Sequence, residues 1–280
     1  MPLSKLPGYT VLLPIYAPDP AEFAASLDSL WAQTLPPGEV LLVNDGPISP
    51  ELQAVLDEHQ AAHPELRLVN LPEAKGLGAA LGEGIPLAKY ELIGRMDADD
   101  LALPERFERQ VRFLEEHPDI DMCCTTILEF EDSPDNVVAM REVPADPAAL
   151  RKFANRWSPM NHGATMYRRA AVLLAGNYQH FERHEDYYLW VRMLMSGTKA
   201  ASLTEPLMLV RIGFANLNRR RSWAATVSAI RFHLWKRRVG FAGWYETCVM
   251  IGVMIGIFAL PDRLFRWVYL RRRPPTLAVG

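Results

Sequence analysis

The first hundred residues alternate short apolar runs with segments of helical spacing, and this alternation constrains the fold more than any other feature of the sequence. Four runs predict buried strands, at residues 9–16, 39–45, 66–70 and 92–96. Between the first two runs, Phe23, Leu27 and Leu30 recur on one face of a predicted helix. Ser49 followed by Pro50 is typical of a helix start. The β-α-β-α order predicts an α/β fold with a mostly parallel central sheet and helices on both faces.

The pattern changes after residue 104 but remains compatible with one domain. A helix, a strand, a helix, a short strand and a helix are predicted, at residues 104–117, 122–130, 147–155, 163–167 and from about 184 onward. The sequence shows no internal repeat and no low-complexity segment. We therefore predict a single α/β domain over residues 1–210 and a separate C-terminal segment over residues 211–280.

The composition indicates a folded protein of a reducing compartment. The hydrophobic fraction of 49% and the charged fraction of 22% are ordinary for a globular protein, which excludes wholesale disorder. Cys123, Cys124 and Cys248 are too few for a disulfide framework, and no C-x-x-C pair suggests a zinc site. The N-terminus has no long apolar segment before a small-residue cleavage site. We therefore expect a cytoplasmic protein.

Charge is divided unevenly between the two predicted parts. Residues 1–210 contain 17 Lys and Arg against 31 Asp and Glu, whereas residues 211–280 contain 13 against 2. Aromatic residues are interleaved with these cations, at Trp235, Trp244, Tyr245, Trp267 and Tyr269. A basic, aromatic-rich segment indicates an anionic surface as its partner.

That partner is better read as a membrane than as a nucleic acid. Residues 247–260 form an uncharged apolar run of 14 residues, and a groove-reading segment rarely contains such a run. The run is shorter than the roughly 20 residues that a spanning helix needs. Helices that lie in the interface of the cytoplasmic membrane fit this composition. The alternative is a pair of helices that pack on the preceding domain.

Three carboxylates crowd the end of the fourth run, in the stretch IGRMDADDLALP. Asp97 and Asp99, two positions apart, can converge on one hard divalent cation, which can neutralise a diphosphate leaving group. A solvated loop in which Asp99 or Asp100 caps a later helix is the alternative. Ligands of parallel sheets collect beyond the C-terminal strand ends, where Asp45 ends another run. That shared position favours a ligand site.

Six ordered stretches of the sequence resemble family 2 glycosyltransferases of the GT-A fold. They cover about residues 9–212 and read VLLPIYAPD, SLWAQTLPPGEVLLVNDGP, KGLGAALGEGI, IGRMDADDLALPERFERQ, NHGATMYRR and HEDYYLWVRMLMSG. The likeness is to bacterial exopolysaccharide and capsule enzymes of the amylovoran-biosynthesis type. It implies an inverting, metal-dependent enzyme that moves a sugar from a nucleotide-sugar, a UDP-sugar, to a lipid-linked oligosaccharide at the inner face of the plasma membrane.

The resemblance also implies roles on the donor side of the site. Asp45 matches the aspartate that accepts a hydrogen bond from the uracil ring, although an Asx-turn with Gly46 is an alternative. Pro14 and Tyr16 match the loop that packs around the base, and a buried strand end is an equal interpretation. Lys75 lies where the family often places a group facing the nucleotide, and a surface lysine is an equal interpretation.

For the metal and the chemistry, the resemblance points to two acidic motifs. Asp99 would ligate Mn²⁺ or Mg²⁺ directly, with Asp97 nearer the ribose or a metal-bound water. Asp186 would be the base that removes the acceptor proton, and Glu185 would position the acceptor. The alternative is that Glu185 and Asp186 only stabilise a helix N-terminus. Asp100 is expected to cap the helix that follows residue 104.

Other classes of protein fit the motifs less well. The glycines of KGLGAALGEG do not follow the G-x-G-x-x-G spacing of a dinucleotide site. A haloacid-dehalogenase-like phosphatase expects Thr or Val where this chain has Asp100. A sugar nucleotidylyltransferase expects a basic, glycine-rich loop directly after the first strand. A non-catalytic, membrane-associated sugar-binding protein would need neither a metal for a leaving group nor a base.

Overall fold

The apolar runs of the sequence form the strands of one sheet. A computed structural model describes residues 3–213 and 222–271, and in this part of the chain nine strands pair into a single sheet. The strands are β1 (Tyr9–Ile15), β2 (Glu39–Asn44), β3 (Leu66–Asn70), β4 (Leu92–Arg95), β5 (Leu101–Ala102), β6 (Met122–Phe130), β7 (Val137–Arg141), β8 (Met166–Arg168) and β9 (Ala200–Arg211).

The described helices are distributed along the whole chain. They are α1 (Pro20–Trp31), α2 (Pro50–Ala62), α3 (Leu77–Leu87), α4 (Arg106–Glu116), α5 (Pro147–Phe153), α6 (Arg169–Leu174), α7 (Glu185–Met195), α8 (Trp223–Arg238), α9 (Trp244–Ala259) and α10 (Asp262–Arg271). Short 3₁₀ turns lie at Leu3–Lys5 and His162–Ala164. The second turn occupies the first part of the strand predicted at residues 163–167.

The first four strands run parallel, as the sequence predicted. Their order across the sheet is β3-β2-β1-β4. Val11 and Leu13 of β1 point to one face of the sheet and Leu12 to the other, and each face is covered by its own apolar cluster. Because both faces are buried, the run reads as continuously apolar rather than alternating.

The remainder of the sheet is mixed, so the predicted mostly parallel sheet is wrong for this half. β8 lies antiparallel between β4 and β6, and β5 and β7 also pair antiparallel with their neighbours. Among the described strands of this half, only β6 and β9 pair parallel. Apolar runs locate strands but carry no information on their direction, and β8 is three residues long. The complete order is β3-β2-β1-β4-β8-β6-β9-β5, with β7 beside β6.

Helices cover both faces of the sheet, as predicted. One apolar cluster joins α1, α2 and α4 to the sheet and includes Phe23, Leu27 and Phe107. The other joins α3, α6 and α7 and includes Leu81 and Trp190. All five of these side chains are fully buried. The helices therefore fix the sheet from both sides and leave the C-terminal strand ends as the open edge.

Side-chain caps set several helix starts. The Ser49 hydroxyl accepts a hydrogen bond from the Leu52 amide at 3.2 Å, and Pro50 follows it, which confirms the predicted start of α2. Asp19 and Asp146 cap α1 and α5 in the same way. Each such cap contributes about 1 kcal/mol.

The C-terminal helices differ in how closely they pack. Phe232 of α8 is fully buried in a cluster with Tyr187 and Val191 of α7, so the alternative in which this segment packs on the domain holds for α8. α9 packs on α8 and buries Thr247 and Met250, whereas α10, all of whose residues are described, buries none. Across the described ranges, we find no helix with the length and apolar content that a membrane crossing requires. Residues 214–221 and 272–280, which belong to the basic segment predicted over residues 211–280, lie outside the described residues.

Candidate functional site

Two adjoining cavities open where β1, β2 and β4 end. The smaller cavity, of about 500 Å³, is lined by Pro14, Tyr16 and Asp45 among others. The larger cleft, of about 670 Å³, contains Asp97, Glu185 and Asp186. Leu77, at the start of α3, lines both cavities and lies at their junction. Six of the eight residues singled out from the sequence therefore line this pair of cavities.

Asp45 is held across the smaller cavity by backbone amides. Its two carboxylate oxygens accept hydrogen bonds from the amides of Lys75 and Gly76, at 2.7 and 2.6 Å. The Asx-turn with Gly46, which was the alternative role for Asp45, is made instead by Asn44, whose side-chain Oδ1 atom accepts a hydrogen bond from the Gly46 amide at 3.2 Å. Asp45 is only 5% exposed, so its charge is directed at the 75–76 loop and the cavity. The Asx-turn interpretation of Asp45 is wrong.

The glycine-rich stretch before and within α3 brings two parts of the site together. Gly76 caps the helix with φ of 87°, a conformation that favours glycine. Gly78 lies two residues further, and a Cβ atom at that position would lie 3.0 Å from the Cβ of Glu185. These glycines allow α3 to approach both Asp45 and α7. This close approach explains the glycines of the stretch KGLGAALGEG, whose spacing does not fit a dinucleotide site.

Lys75 contributes its backbone to the site. Its amide binds Asp45, while its ammonium lies 3.8 Å from the Glu83 carboxylate and lines neither cavity. Both side chains of this ion pair are partly exposed, so the pair is weak. The role of the Lys75 side chain toward a nucleotide stays a prediction.

The acidic cluster after β4 is organised around a buried arginine. Asp97 is 38% exposed in the cleft and forms an ion pair with Arg95, which is 1% exposed. Burial raises the pKa of Asp99, and the charge of Asp97 raises it further. Asp99 is half-buried beside Asp97 but does not line either cavity. The chain thus places two carboxylates close together, one in the cleft and one behind it.

Asp100 does not cap a helix, contrary to the expectation from the sequence. It is buried, and its carboxylate accepts a hydrogen bond from the Arg211 amide at 3.0 Å. Strand β5 follows it directly and pairs with β9, which brings Arg211 to this carboxylate. α4 begins only at Arg106, after Glu105, which makes no side-chain cap. Burial and the neighbouring acids raise the pKa of Asp100 well above its ordinary value.

The donor set at this edge fits a divalent cation only with help from a ligand. In residues 3–213 and 222–271, no three His, Cys, Asp or Glu side chains converge as a ready metal site. Asp97 and Asp99 nevertheless supply two hard oxygen donors, and their mutual repulsion raises the pKa of Asp99. A cation would relieve this repulsion, and the phosphate oxygens of a bound nucleotide would complete its shell.

Glu185 and Asp186 form the first turn of α7 and face the cleft. The helix is preceded by His184, whose side chain makes no capping hydrogen bond. Burial raises the pKa of Glu185. Carboxylates at a helix N-terminus are stabilised by the helix dipole, and these two also line one cleft with Asp97. Their roles as base and positioning group stay predictions.

Sequence reasoning missed the buried cations of the site. Arg106 is fully buried and donates to the backbone carbonyls of Arg95, at 2.6 Å, and Gly163, at 2.8 Å. It thereby ties the end of β4 to the 3₁₀ turn that carries His162. Burial holds the pKa of His162 well below its ordinary value, and its ring nitrogen lies 2.9 Å from the Tyr178 hydroxyl. The sequence contained one signal of a buried cation, which was the charged Arg95 inside the apolar run at residues 92–96.

Comparison with known proteins gives the same family as the motifs. A family model described as glycosyl transferase family 2 matches residues 10–174. The chain is 32% identical to the amylovoran biosynthesis glycosyltransferase AmsE of Erwinia amylovora, over 95% of this chain and 99% of that protein. It is 27% identical to the UDP-Gal:alpha-D-GlcNAc-diphosphoundecaprenol beta-1,3-galactosyltransferase of Escherichia coli, over 94% of this chain and 95% of that protein.

The fold is likewise that of known glycosyltransferases. The mannosyltransferase PcManGT of Pyrobaculum calidifontis, solved in complex with GDP-Man and Mn²⁺, superposes with a TM-score of 0.63 at 18% identity, covering 96% of this chain and 81% of that one. At that identity the likeness shows the GT-A fold and nothing finer. The family match over residues 10–174 includes Asp45 and the acidic cluster after β4. The chain belongs to glycosyl transferase family 2 and is a glycosyltransferase.

Proposed function

We propose that this chain transfers a sugar from a UDP-sugar to a hydroxyl of a lipid-linked glycan, with inversion at the anomeric carbon, in the synthesis of a cell-surface polysaccharide. One observation carries the proposal. A cavity that presents Asp45 adjoins a cleft that contains Asp97, Glu185 and Asp186, so a donor and an acceptor can meet at the junction near Leu77. The catalytic machinery would lie within residues 1–210, and residues 211–280 would add the acceptor and membrane contacts.

The donor half of the proposal rests on Asp45 and Tyr16. A carboxylate at a strand end can accept the imide N–H of uracil, and Asp45 retains lone pairs beyond the two bonds it accepts from the 75–76 loop. Tyr16 is 66% exposed beside Gly46, at the mouth of the same cavity, and offers an aromatic face to a base. The E. coli relative is named for a UDP-Gal donor, whereas the P. calidifontis enzyme was solved with GDP-Man. The choice of nucleobase is therefore determined by the residues of the site rather than by the fold.

Replacing Asp45 with Ala is expected to weaken UDP binding by about 1–3 kcal/mol, because a charge-assisted hydrogen bond to the base is lost and the 75–76 loop is released. Isothermal titration of UDP into both proteins measures the difference. Asp57→Ala, which removes a carboxylate on the exposed side of α2, is the matched control and should leave UDP binding unchanged. GDP should bind poorly to all three proteins. Equal affinity of the unmodified protein for UDP and GDP would contradict the donor assignment.

For the metal, we propose that Asp99 ligates Mn²⁺ or Mg²⁺ and that Asp97 supports it from the cleft. The support is the adjacency of the two carboxylates and the repulsion between them, which a cation would remove. When bound, the cation neutralises charge on the diphosphate leaving group. The P. calidifontis structure contains Mn²⁺. Arg95 forms an ion pair with Asp97 and holds this carboxylate at the edge of the cleft.

For the chemistry, we propose that Asp186 accepts the proton of the attacking hydroxyl. Inversion requires the acceptor oxygen to approach the face opposite the leaving diphosphate, and a base on that side removes its proton as the new bond forms. Glu185, adjacent in the first turn of α7 and also in the cleft, would hold the acceptor through its other hydroxyl groups. The raised pKa of Glu185 suits a group that can donate as well as accept.

A lipid-linked acceptor is supported by the far wall of the cleft. That wall comes from the C-terminal helices and is mainly apolar, with Ala225, Thr226 and Ala229 on α8 and Met254 and Ile257 on α9. A free sugar gains little from such a surface, whereas the first units of a lipid chain bury apolar area there. The E. coli relative is named for a diphosphoundecaprenol-linked GlcNAc acceptor.

We also propose that the outer side of the C-terminal helices lies on the membrane surface. Trp244 and Trp267 are 63% and 53% exposed, and Ile255 and Phe258 of α9 are also exposed. Aromatic and aliphatic side chains at this position can enter the headgroup region, and basic residues add about 1 kcal/mol each near an anionic leaflet.

Full-length protein is expected to float with anionic vesicles at low salt. High salt should weaken flotation if charge dominates, and should leave it unchanged if the exposed face of α9 enters the acyl region. Trp244→Ala with Trp267→Ala should reduce flotation at either salt, whereas His63→Ala, a change directly after α2 and outside the C-terminal helices, serves as the control. Protein that stays in the soluble fraction under both conditions would exclude the membrane contact.

A further inference from the structure

One face of α8 is directed at the turn that carries the acidic pair. Ser228, Phe232 and Lys236 are spaced by four residues, so they form one stripe along the helix. All three side chains are buried, at 4%, 0% and 0% exposure. The stripe contacts residues 181–187, the segment that contains Glu185 and Asp186.

The first two positions of the stripe hold the approach to α7. The Ser228 hydroxyl donates to the backbone carbonyl of Glu182 and lies 3.4 Å from the Nδ1 atom of His184. The Phe232 ring stacks on the His184 ring at 5.1 Å and contacts the Tyr187 ring at 4.6 Å between centroids. The backbone on either side of the acidic pair is therefore fixed to α8.

The third position is a buried amine. The Lys236 ammonium donates to the Tyr187 hydroxyl at 2.6 Å and to the Asn155 carbonyl at 2.9 Å, and the Tyr187 hydroxyl donates to the Ala154 carbonyl at 2.6 Å. Burial lowers the pKa of Lys236 to about 7. An apolar side chain of similar length would avoid this desolvation cost, so the amine is better explained by its directional bonds than by packing.

The segment held by the stripe is one that needs support. Arg183 has φ of 64°, in the left-handed region that non-glycine residues rarely adopt. Such a conformation costs of order 1–3 kcal/mol and persists only where surrounding contacts enforce it. Arg183, His184, Glu185 and Asp186 all line the cleft, so displacement of this segment would move the acidic pair.

We infer that Ser228, Phe232 and Lys236 are positioning residues that fix the Glu185–Asp186 turn in the cleft. This inference rests on the proposed role of Asp186 as base. It makes α8 part of the active site, so the working catalytic unit extends past residue 210 and the C-terminal segment does more than contact a membrane. Lys236 acts through Tyr187, the residue directly after Asp186.

The test compares Lys236→Met, which keeps the length and loses the amine, with the milder Ser228→Ala in the full chain. Leu234→Ala, on the exposed side of the same helix, is the matched control. Hydrogen exchange measures the ordering of residues 182–190, titration measures UDP affinity, and release of UDP from UDP-galactose in the presence of a GlcNAc-diphosphate lipid measures turnover. Each variant is also combined with Asp186→Asn.

Both stripe variants are expected to accelerate exchange at residues 182–190 while β1 and β2 exchange as before. Turnover should fall about ten- to a hundredfold in Lys236→Met and less in Ser228→Ala, with UDP affinity unchanged, because a displacement near 1 Å has effects of this size. In the Asp186→Asn background, the same variants should cause almost no further loss, since the group they position is already gone. Leu234→Ala should match the unmodified protein throughout.

Two results would overturn the inference: unchanged exchange at residues 182–190 in both stripe variants, or equal fractional losses of turnover with and without Asp186→Asn. Failure of the proposed function looks different. In that case Asp186→Asn itself would turn over like the unmodified protein, and the exchange measurement alone would decide whether α8 orders the turn.

Discussion

Replacing Asp186 with Asn is expected to lower turnover by about 10²- to 10⁴-fold. Asn has nearly the same shape as Asp but cannot accept the acceptor proton, so only the proton transfer is removed. Asp186 lies in the first turn of α7 and lines the cleft. The N-cap residue of α7, His184, makes no side-chain capping hydrogen bond that this replacement could break. UDP affinity should be nearly unchanged, because the donor cavity that contains Asp45 is separate from the acceptor side.

Steady-state release of UDP, with UDP affinity measured in parallel, checks this prediction. Asp119→Asn is a suitable control because it changes a surface acid that pairs with Lys199 at 3.0 Å, far from the cleft. If Asp186→Asn retained normal turnover, the acid would be reassigned to stabilising the helix start, which is the alternative that its sequence position allows.

Removal of divalent metal is expected to abolish transfer, and Asp99→Ala is expected to lose most activity while remaining folded. Asp99 suits this test better than Asp97, because loss of Asp97 would leave the buried Arg95 without its carboxylate partner and would perturb the fold. Asp99 carries no such partner role in the described structure, and its loss relieves repulsion within the acidic cluster.

Transfer assayed with EDTA, then with Mn²⁺ or Mg²⁺ restored, measures the metal requirement, and circular dichroism checks the fold of Asp99→Ala. Burial raises the pKa of Asp99, so protonation should compete with the cation and the metal affinity should fall as the pH is lowered. Full activity in EDTA would rule out the metal role of Asp99 and Asp97.

Much of the fold is encoded in local patterns. β1 and β2 are buried on both faces, so their apolar runs are long and continuous, and the Ser49–Pro50 start of α2 is set by neighbouring residues. β9 was not predicted from the sequence because Glu205 and Pro206 interrupt its apolar pattern. Residues 204–206 are exposed, and the pairing of β9 with β6 shifts register beside them. Such an irregularity is tolerated only because β6 supplies the partner strand.

Some residues of the candidate site could likewise be predicted from the sequence, whereas others could not. Asp45, Asp97 and the Glu185–Asp186 pair lie at element ends, where an acidic residue in an apolar context is visible in the sequence. Asp100 was misjudged because its partner, the Arg211 amide, is distant in sequence. Arg106 and Lys236 could not be assigned, since a buried cation is defined by carbonyl groups that only the tertiary structure brings to it.

The most direct test of the central claim is transfer by the full-length protein from UDP-galactose, UDP-GlcNAc or GDP-mannose to a GlcNAc-diphosphate lipid, with the anomeric configuration of the product read by NMR. We expect release of UDP from a UDP-linked α-sugar, a β-linked product, and no transfer from GDP-mannose. Transfer from GDP-mannose, an α-linked product, or saturable UDP-sugar binding with no turnover on any acceptor would contradict the claim.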